Sequence, residues 1–373
     1  MSPALPSPAP RTRIAVAMSG GVDSAVAAAR LLDQGHDVVG VTLHLWDYPE
    51  EEEAGSHGRC CAPEDQYDAR RTADALGFPH FTFDRRELFA EKVVGPFVQA
   101  YLDGDTPSPC SDCNRGVKLG ELFALADRLG ASHVATGHYA RVGVSPSGAP
   151  FLREGRDRTK DQSYFLYATA RERLARLVFP LGESTKSEVR AEAIARDLPG
   201  ARKGESQELC FVGQGAHAYA SFVAARADGR VRPGAILSGD GRLLGQHDGV
   251  HHFTVGQRKG LGIAPQTSSA ERVFVTAIDP SSAAVTVGEE SALFSSEARL
   301  DEVALAPEIT LPLTARVRVR YRHGGEMASV VADGPQGATL RFDAPVRALT
   351  RGQVAVFYDG DRVLGGGRIR SAA

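Results

Sequence analysis

This 373-residue chain is short of several things. It has five cysteines, too few for a disulfide-built scaffold. It has no run of about 18 consecutive apolar residues, which excludes a membrane-spanning helix. Neither sign of charge is in large excess: 43 Lys and Arg face 46 Asp and Glu, a formal net charge of −3. That balance excludes a generally basic nucleic-acid coat and leaves room for a local basic patch. The opening 13 residues, MSPALPSPAPRTR, carry four prolines and no apolar run. They read as a frayed leader, not an export signal, so we expect a cytoplasmic protein with reduced thiols. What remains is ordinary: 42% hydrophobic and 24% charged residues, on a length suited to two or three domains.

Strand and helix signals alternate over the first part of the chain. Residues 13–17 (RIAVA) predict a strand, followed by a Gly-rich turn and a helix from Val22 to Gln34. Further strands are predicted at 37–45, 80–84 and 133–136, and helices at 64–76, 85–101 (bent at Pro96) and 115–129. Such alternation predicts an α/β parallel sheet covered on both faces. Beyond about residue 213 glycine and proline become frequent, and from Arg272 only short β-rich runs occur. The expected division is a leader (1–12), an α/β domain (13–213), a small Gly-rich connector domain (214–270) and a C-terminal β-barrel or sandwich (271–373).

Ser19-Gly20-Gly21-Val22-Asp23-Ser24 stands between the first strand and the first helix. Two glycines let backbone N–H groups approach an anion, and the helix N-terminus points its positive dipole end at the same place. Asp23 is out of place beside a phosphate unless a Mg²⁺ lies between them. The string does not match a Walker-type loop. It resembles the pyrophosphate loop of the ATP pyrophosphatase superfamily, whose members cleave ATP between the α and β phosphates and adenylate a carbonyl-type oxygen. The loop alone does not choose among them.

The cysteines narrow the choice. Cys110 and Cys113 form a C-x-x-C within TPSPCSDCNR, and Cys210 lies 97 residues after Cys113 in SQELCF. Alone, a C-x-x-C is open between a zinc half-site (completed by His138 or His217), a redox pair and chance. A helix starting near Arg115 would put Cys113 at its N-terminus, where the dipole lowers a thiol pKa. Together with SGGVDS, the segments CCAPED (60–65), TPSPCSDCNRGVK, ATGHYA (135–140), KDQSYFL (160–166), SQELCF, HHFTVGQRKGLGI (251–263), VRYR and RGQVAVFY resemble the bacterial and mitochondrial tRNA-specific 2-thiouridylase family. The resemblance spans nearly the whole chain after residue 12.

That resemblance implies an adenylation and thiolation domain at 13–213 and a tRNA-binding barrel at the C-terminus. ATP would activate the C2 oxygen of the wobble uridine (position 34), releasing pyrophosphate. A persulfide on Cys210, loaded by a cysteine desulfurase or relay protein, would supply sulfur. Cys113 would act as nucleophile, and AMP would leave. A Cys113–Cys210 disulfide is the expected end state. ATP contacts fall on Ala17, Met18, Ser19, Gly20, Gly21, Val22, Asp23 and Ser24, with Leu43 and Gly137 at the adenosine and Mg²⁺ held through Asp23 and ATP. tRNA contacts fall on Ser108, Pro109, Cys110 and His138, on Lys160, Asp161 and Gln162, and on Arg318, Arg320, Tyr321 and Gln353. The tRNAs implied are those for Lys, Glu and Gln. The position of Cys110 is often acidic in this family. A cysteine there raises a variant in which Cys110, Cys113 and Cys210 hold a [4Fe–4S] cluster with one open iron. Cys60 and Cys61 match family positions and are given no role.

Read directly, Arg316, Arg318, Arg320 and Arg322 alternate with Val317, Val319 and Tyr321. On one strand, four guanidinium groups would leave a single face, suited to RNA phosphates. Two rival functions stand beside thiolation. One is another adenylating synthetase of the same superfamily, which would need neither Cys113 nor Cys210. The other is a non-catalytic tRNA-binding or sulfur-carrier protein.

Overall fold

A computed structural model describes residues 11–47, 63–204, 209–213, 215, 218–263 and 272–372. Cys60, Cys61 and His217 lie outside the described residues. The chain divides into two compact units. The first comprises Met1–Val93, Cys110–Gln214 and Asp359–Leu364; the second comprises Val94–Pro109, Gly215–Tyr358 and Gly365–Ala373.

The first unit is built on a five-stranded sheet. Its strands are β1 (Arg13–Ala17), β2 (Asp37–His44), β3 (His80–Asp84), β4 (His133–Ala135) and β7 (Leu177–Val178). They run parallel in the order β3-β2-β1-β4-β7. Ile14, Ala15 and Val16 on the central strand are fully buried, as expected where both faces are covered. A hairpin of β5 (Ala140–Val144) and β6 (Pro150–Glu154) follows β4. The first helix, Val22–Asp33, packs Val22, Val26 and Ala29 against Val189 and Ala193 of the helix Lys186–Ala195. Arg30 ties the same two helices together, donating to Glu192 at 2.7 and 3.0 Å, to Pro180 O at 2.8 Å and to Ser184 Oγ at 2.8 Å.

Two predicted helices differ in detail. The run expected over 85–101 has its irregularity ahead of Pro96: a π turn at Ala90–Val94 separates Arg86–Phe89 from Gly95–Leu102. Proline has no N–H to offer the preceding turn, and the widened turn absorbs that loss. The run expected from 115 begins earlier, as Pro109–Cys113, a π segment Asn114–Lys118 and Leu119–Arg128 without a break. A proline at the first helical position starts a helix well, so the true start lies ahead of both cysteines.

The second unit holds two β structures. β8 (Gly234–Ser238), β9 (Leu243–His247), β10 (Phe274–Asp279) and β11 (Ala284–Gly288) form a sheet in the order β10-β11-β8-β9. Its core is Ile236, Val250, Phe253, Val275, Val285 and Val287. β10 and β11, read from the sequence as part of the barrel segment, thus join β8 and β9. The remaining strands are β12 (Phe294–Leu305), β13 (Leu313–Arg318), β14 (Glu326–Ala332), β15 (Ala338–Arg347), β16 (Val354–Asp359) and β17 (Arg362–Ala372). They pair in the order β12-β15-β14-β13-β16-β17, and β12 also pairs with β17, which closes a six-stranded barrel. Among the described residues no helix is long and apolar enough to cross a membrane.

Candidate active site

The order of the parallel sheet locates the site. β1 is followed in space by β2 on one side and β4 on the other, so the connections leave in opposite directions at β1. In an open parallel sheet that reversal opens a crevice outside the carboxyl ends of the two strands. The Ser19–Ser24 loop leaves β1 at that end, and Gly137–His138 leaves β4 there.

The loop is internally organised. The Ser19 amide donates to Ser24 Oγ at 3.2 Å, and Ser24 Oγ donates to Gly21 O at 2.9 Å. Gly20 has φ +73°, and a Cβ there would lie 2.0 Å from Asp65 O. A side chain is therefore excluded twice, by conformation and by contact. Gly21 occupies the N-cap of the helix and supplies no side-chain cap, so first-turn N–H groups stay available to an anion. A Cβ on Gly21 would meet only Ser19 Oγ, at 3.5 Å. These features fit the phosphate chain of ATP. Met18 and Leu43 are buried at 3% and 7% exposure, with the Met18 amide donating to Val41 O at 2.9 Å.

Asp23 has partners that sequence reasoning missed. Lys186 Nζ lies 2.7 Å from both carboxylate oxygens, and Tyr139 OH donates to Oδ1 at 2.8 Å. The Asp23 carboxylate thus faces an ammonium group, a positive charge that the sequence did not assign. Lys186 is the first residue of its helix. Its position is set by a capping box in which Thr185 Oγ1 accepts from the Glu188 amide and the Glu188 carboxylate accepts from the Thr185 amide. The T-x-x-E string was readable as a cap, but no local signal points from it to Asp23, 163 residues away.

A second charged cluster touches the loop. Lys203 Nζ is 3.1 Å from Asp65 Oδ1 and also pairs with Asp68, both aspartates being nearly buried. Burial pushes the Asp65 carboxyl above its ordinary range, and Lys203 opposes that shift.

Gly137 closes the other side of the crevice. A Cβ there would sit 2.9 Å from Asp23 C and 3.0 Å from Ser24 N. We expect Gly137→Ala to displace the first helical turn at an overpacking cost of about 1–3 kcal/mol. Pyrophosphate release from ATP should fall about tenfold. Thermal melting and a pyrophosphate assay on the same variant check both effects. His138 shares a hydrogen bond of 2.8 Å with Thr136 Oγ1. Burial, with Lys118 adding to it, pushes its pKa down to about 3, so the ring is neutral near pH 7.

Cys113 is 6% exposed and lies inside the helical run. It is past the first turn, where the free N–H groups act, so the expected N-terminal placement does not hold. Cys110 is the exposed thiol, one turn earlier. Cys210 is half-buried and is followed by Phe211, which packs edge-on to Phe89 at 5.5 Å and to Trp46 at 6.2 Å. This aromatic trio anchors the chain just after Cys210. Among the described residues no three His, Cys, Asp or Glu side chains gather as a metal site, so the three cysteines are not a preformed cluster ligand set.

Several residues assigned to tRNA have structural duties. Asp161 is 2% exposed; its Oδ1 accepts from the Gly155 and Ser163 amides at 2.9 and 3.1 Å, and its Oδ2 from Ser163 Oγ at 3.0 Å. Gln162 Oε1 accepts from the Tyr139 amide at 3.0 Å. In the second unit, Gln353 Nε2 donates to Thr106 O at 2.9 Å and to Pro107 O at 3.2 Å, steadying the segment before Ser108 and Pro109. Lys160 is partly exposed.

The arginine strand is corrected by the structure. β13 ends at Arg318, and residues 319–322 form a bend and turn, so the four arginines do not share one face. Arg318 is 7% exposed; its guanidinium donates to His323 O at 3.1 Å and to Tyr321 O. Arg316 and Arg318 lie 4.6 and 5.6 Å from the Tyr358 ring centroid. Arg320 donates to Arg347 O at 3.0 Å. Arg318 is turned inward onto carbonyl oxygens, and the strand ends there, so Arg320 and Arg322 do not extend its face. We therefore expect Arg318→Ala to cost about 1–3 kcal/mol, because carbonyl oxygens lose a buried charged donor. Denaturant melting checks it, and an unchanged midpoint refutes the inward role.

A family model described as "tRNA methyl transferase HUP domain" matches residues 12–214. Models described as "tRNA methyl transferase PRC-barrel domain" and "Aminomethyltransferase beta-barrel domain" match residues 221–289 and 299–369. Curated relatives share the whole length. The chain is 58% identical to the tRNA-specific 2-thiouridylase MnmA of Sorangium cellulosum, over 98% of this chain and 94% of that protein. It is 46% identical to the protein of the same name from Moorella thermoacetica (96% and 99%) and 44% identical to that from Acidobacterium capsulatum (95% and 98%). A phosphate loop at the sheet's reversal point, thiols on and beyond the adjoining elements, and full-length identity of this order place the chain in the tRNA-specific 2-thiouridylase family.

Proposed function

We propose that this protein is an ATP-dependent tRNA-uridine 2-sulfurtransferase that converts the wobble uridine to 2-thiouridine. The observation that carries the reading is the phosphate loop with Asp23 held by Lys186 and Tyr139, in the same unit as Cys113 and Cys210. First-turn N–H groups and Lys186 face the phosphates of ATP, and Mg²⁺ accompanies those phosphates. The uridine C2 oxygen attacks the α-phosphate and pyrophosphate leaves. Cys210 carries the persulfide. Cys113 thiolate attacks Cys210 Sγ, forming a Cys113–Cys210 disulfide and releasing hydrosulfide, which attacks C2 and expels AMP. Methyl transfer, named in the family-model descriptions, has no use for this pair of thiols.

The division into an adenylation and thiolation domain, a central domain and a tRNA-binding barrel belongs to the same proposal. So do a cytoplasmic setting, a cysteine desulfurase or relay protein as donor, and the tRNAs for Lys, Glu and Gln. Ser108, Pro109, Cys110, His138, Lys160, Arg320 and Tyr321 are the contacts proposed for tRNA. Asp161, Gln162, Arg318 and Gln353 act by holding the backbone around them. The [4Fe–4S] variant gains no support from the arrangement of the described residues.

The test is a reaction containing ATP, Mg²⁺, tRNA lacking wobble modification and protein loaded with persulfide. Pyrophosphate release should depend on tRNA, and digested tRNA should contain 2-thiouridine. Pyrophosphate release without tRNA, or tRNA binding with no ATP cleavage, favours the rival synthetase or carrier.

A further inference from the structure

The three described cysteines differ in reach: Cys113 is 6% exposed, Cys210 is half-buried and Cys110 is exposed. Cys110 and Cys113 sit three residues apart in one unbroken helical run, with Asn114 Nδ2 donating to Cys110 O at 3.0 Å across that turn. Helix rise, radius and turn put residues i and i+3 about 5 Å apart at Cα. Disulfides form at Cα separations of about 4.4–6.8 Å. The Cα spacing of the pair therefore falls within the range that an S–S bond requires.

We infer that Cys110 is the resolving thiol of the catalytic cycle, moving the disulfide from the Cys113–Cys210 pair to a Cys110–Cys113 pair that includes the exposed Cys110. This rests on the reading above that each turnover ends in a Cys113–Cys210 disulfide. A protein reductant must bring its own thiolate in line with a sulfur atom, and a disulfide between the 6%-exposed Cys113 and the half-buried Cys210 would give it little access. The exposed Cys110 removes that obstacle.

The exchange balances without a new oxidant. Cys110, as thiolate, attacks Cys113 Sγ; the Cys113–Cys210 bond breaks as the Cys110–Cys113 bond forms. Cys210 leaves as thiolate and takes up the proton that Cys110 lost to solvent. Cys210 can then be reloaded with persulfide while Cys113 is still oxidised. A dithiol reductant next attacks the exposed Cys110 Sγ, returns both cysteines to thiols and is itself oxidised to a disulfide.

Persulfide-loaded protein is allowed one turnover with ATP and tRNA, acid-quenched, alkylated and mapped by mass spectrometry. The unaltered chain should yield a Cys110–Cys113 disulfide and alkylated Cys210. Cys110→Ser should stop at Cys113–Cys210. The rate of later turnovers, divided by each protein's own first-turnover rate, should fall about tenfold or more in Cys110→Ser when the reductant is a thioredoxin-type protein. Dithiothreitol, small enough to reach the buried bond, should restore that ratio. Cys110→Ala should behave like Cys110→Ser, which separates thiol chemistry from side-chain polarity. Retention of Cys113–Cys210 by the unaltered chain through repeated turnover overturns the inference and leaves the sulfur-transfer reading standing. So does an unchanged ratio in Cys110→Ser. Absence of any Cys113 disulfide in both proteins overturns the sulfur-transfer reading, and this inference with it.

Discussion

Cys210→Ser should abolish 2-thiouridine formation, by roughly a thousandfold or more, the scale on which loss of a covalent nucleophile is felt. The same variant should keep tRNA-dependent pyrophosphate release within about a factor of three of the unaltered protein. The separation follows from where Cys210 stands. Its segment is anchored by Phe211 between Phe89 and Trp46, whereas Ser19–Ser24 is organised by bonds within the loop and Asp23 by Lys186 and Tyr139. Serine nearly preserves the volume and leaves that aromatic anchor in place, so the phosphate loop should stay intact. Thiolation retained at more than a small percentage in digested tRNA sinks the persulfide role of Cys210. Loss of both activities together would show that this segment also shapes the ATP site.

The reverse separation is expected at the phosphate loop. Asp23→Ala should reduce pyrophosphate release by roughly a hundredfold, about 2.7 kcal/mol, while persulfide loading of Cys210 survives. Asp23 is the partner that holds the Lys186 ammonium at the first turn of the helix, with Tyr139 completing the arrangement. Without it the ammonium would lose the partner that fixes it, and on the proposed mechanism it would no longer be held beside the phosphates. Lys186→Met should be worse than Asp23→Asn, because it leaves an uncompensated carboxylate facing the phosphates. Lys186→Arg should recover part of the activity. Normal ATP cleavage by Asp23→Ala would refute the coupling, and equal activity of Lys186→Met and Asp23→Asn would refute the charge argument.

The stability contribution of His138 has a sign that can be checked. Its folded pKa of about 3 lies below its ordinary value of 6.5. As pH falls below about 6.5 the unfolded chain takes up this proton first, so folding loses stability from there towards pH 3. Replacing His138 with Gln should flatten that part of the stability curve.

Much of the site was legible because its signals are local. Ser19–Ser24 reads as an anion loop from its glycines and its place between a strand and a helix, and the helix Val22–Asp33 followed from apolar spacing. The alternation of strands and helices implied the parallel sheet, since parallel strands need long crossovers. The β-rich C-terminal runs implied a barrel or sandwich. Errors arose where one residue's role depends on a distant one. The arginine alternation at 316–322 was a sound period-two pattern, yet the strand stops at Arg318 because its guanidinium finds carbonyl acceptors in the turn that follows. For Asp161 and Gln162, expected from the resemblance to contact tRNA, no local signal announced the side-chain bonds to the amides of Gly155, Ser163 and Tyr139.

The sequence by itself determined the chemistry on offer: an anion-binding loop, a C-x-x-C pair with a further cysteine 97 residues on, and no apolar run long enough for a membrane-spanning helix. Those are properties of residue type and short-range order, which survive in any fold that keeps the elements. Only the tertiary structure decided how that chemistry is poised. The strand order set the crevice at the ends of β1 and β4, the packing of two helices brought Lys186 onto Asp23 across 163 residues, and an earlier helix start buried Cys113 while exposing Cys110. The physical reason is common to all three. Charge pairing, burial and crevice position are set by which surfaces pack together, and packing between distant segments leaves no periodic trace in the chain.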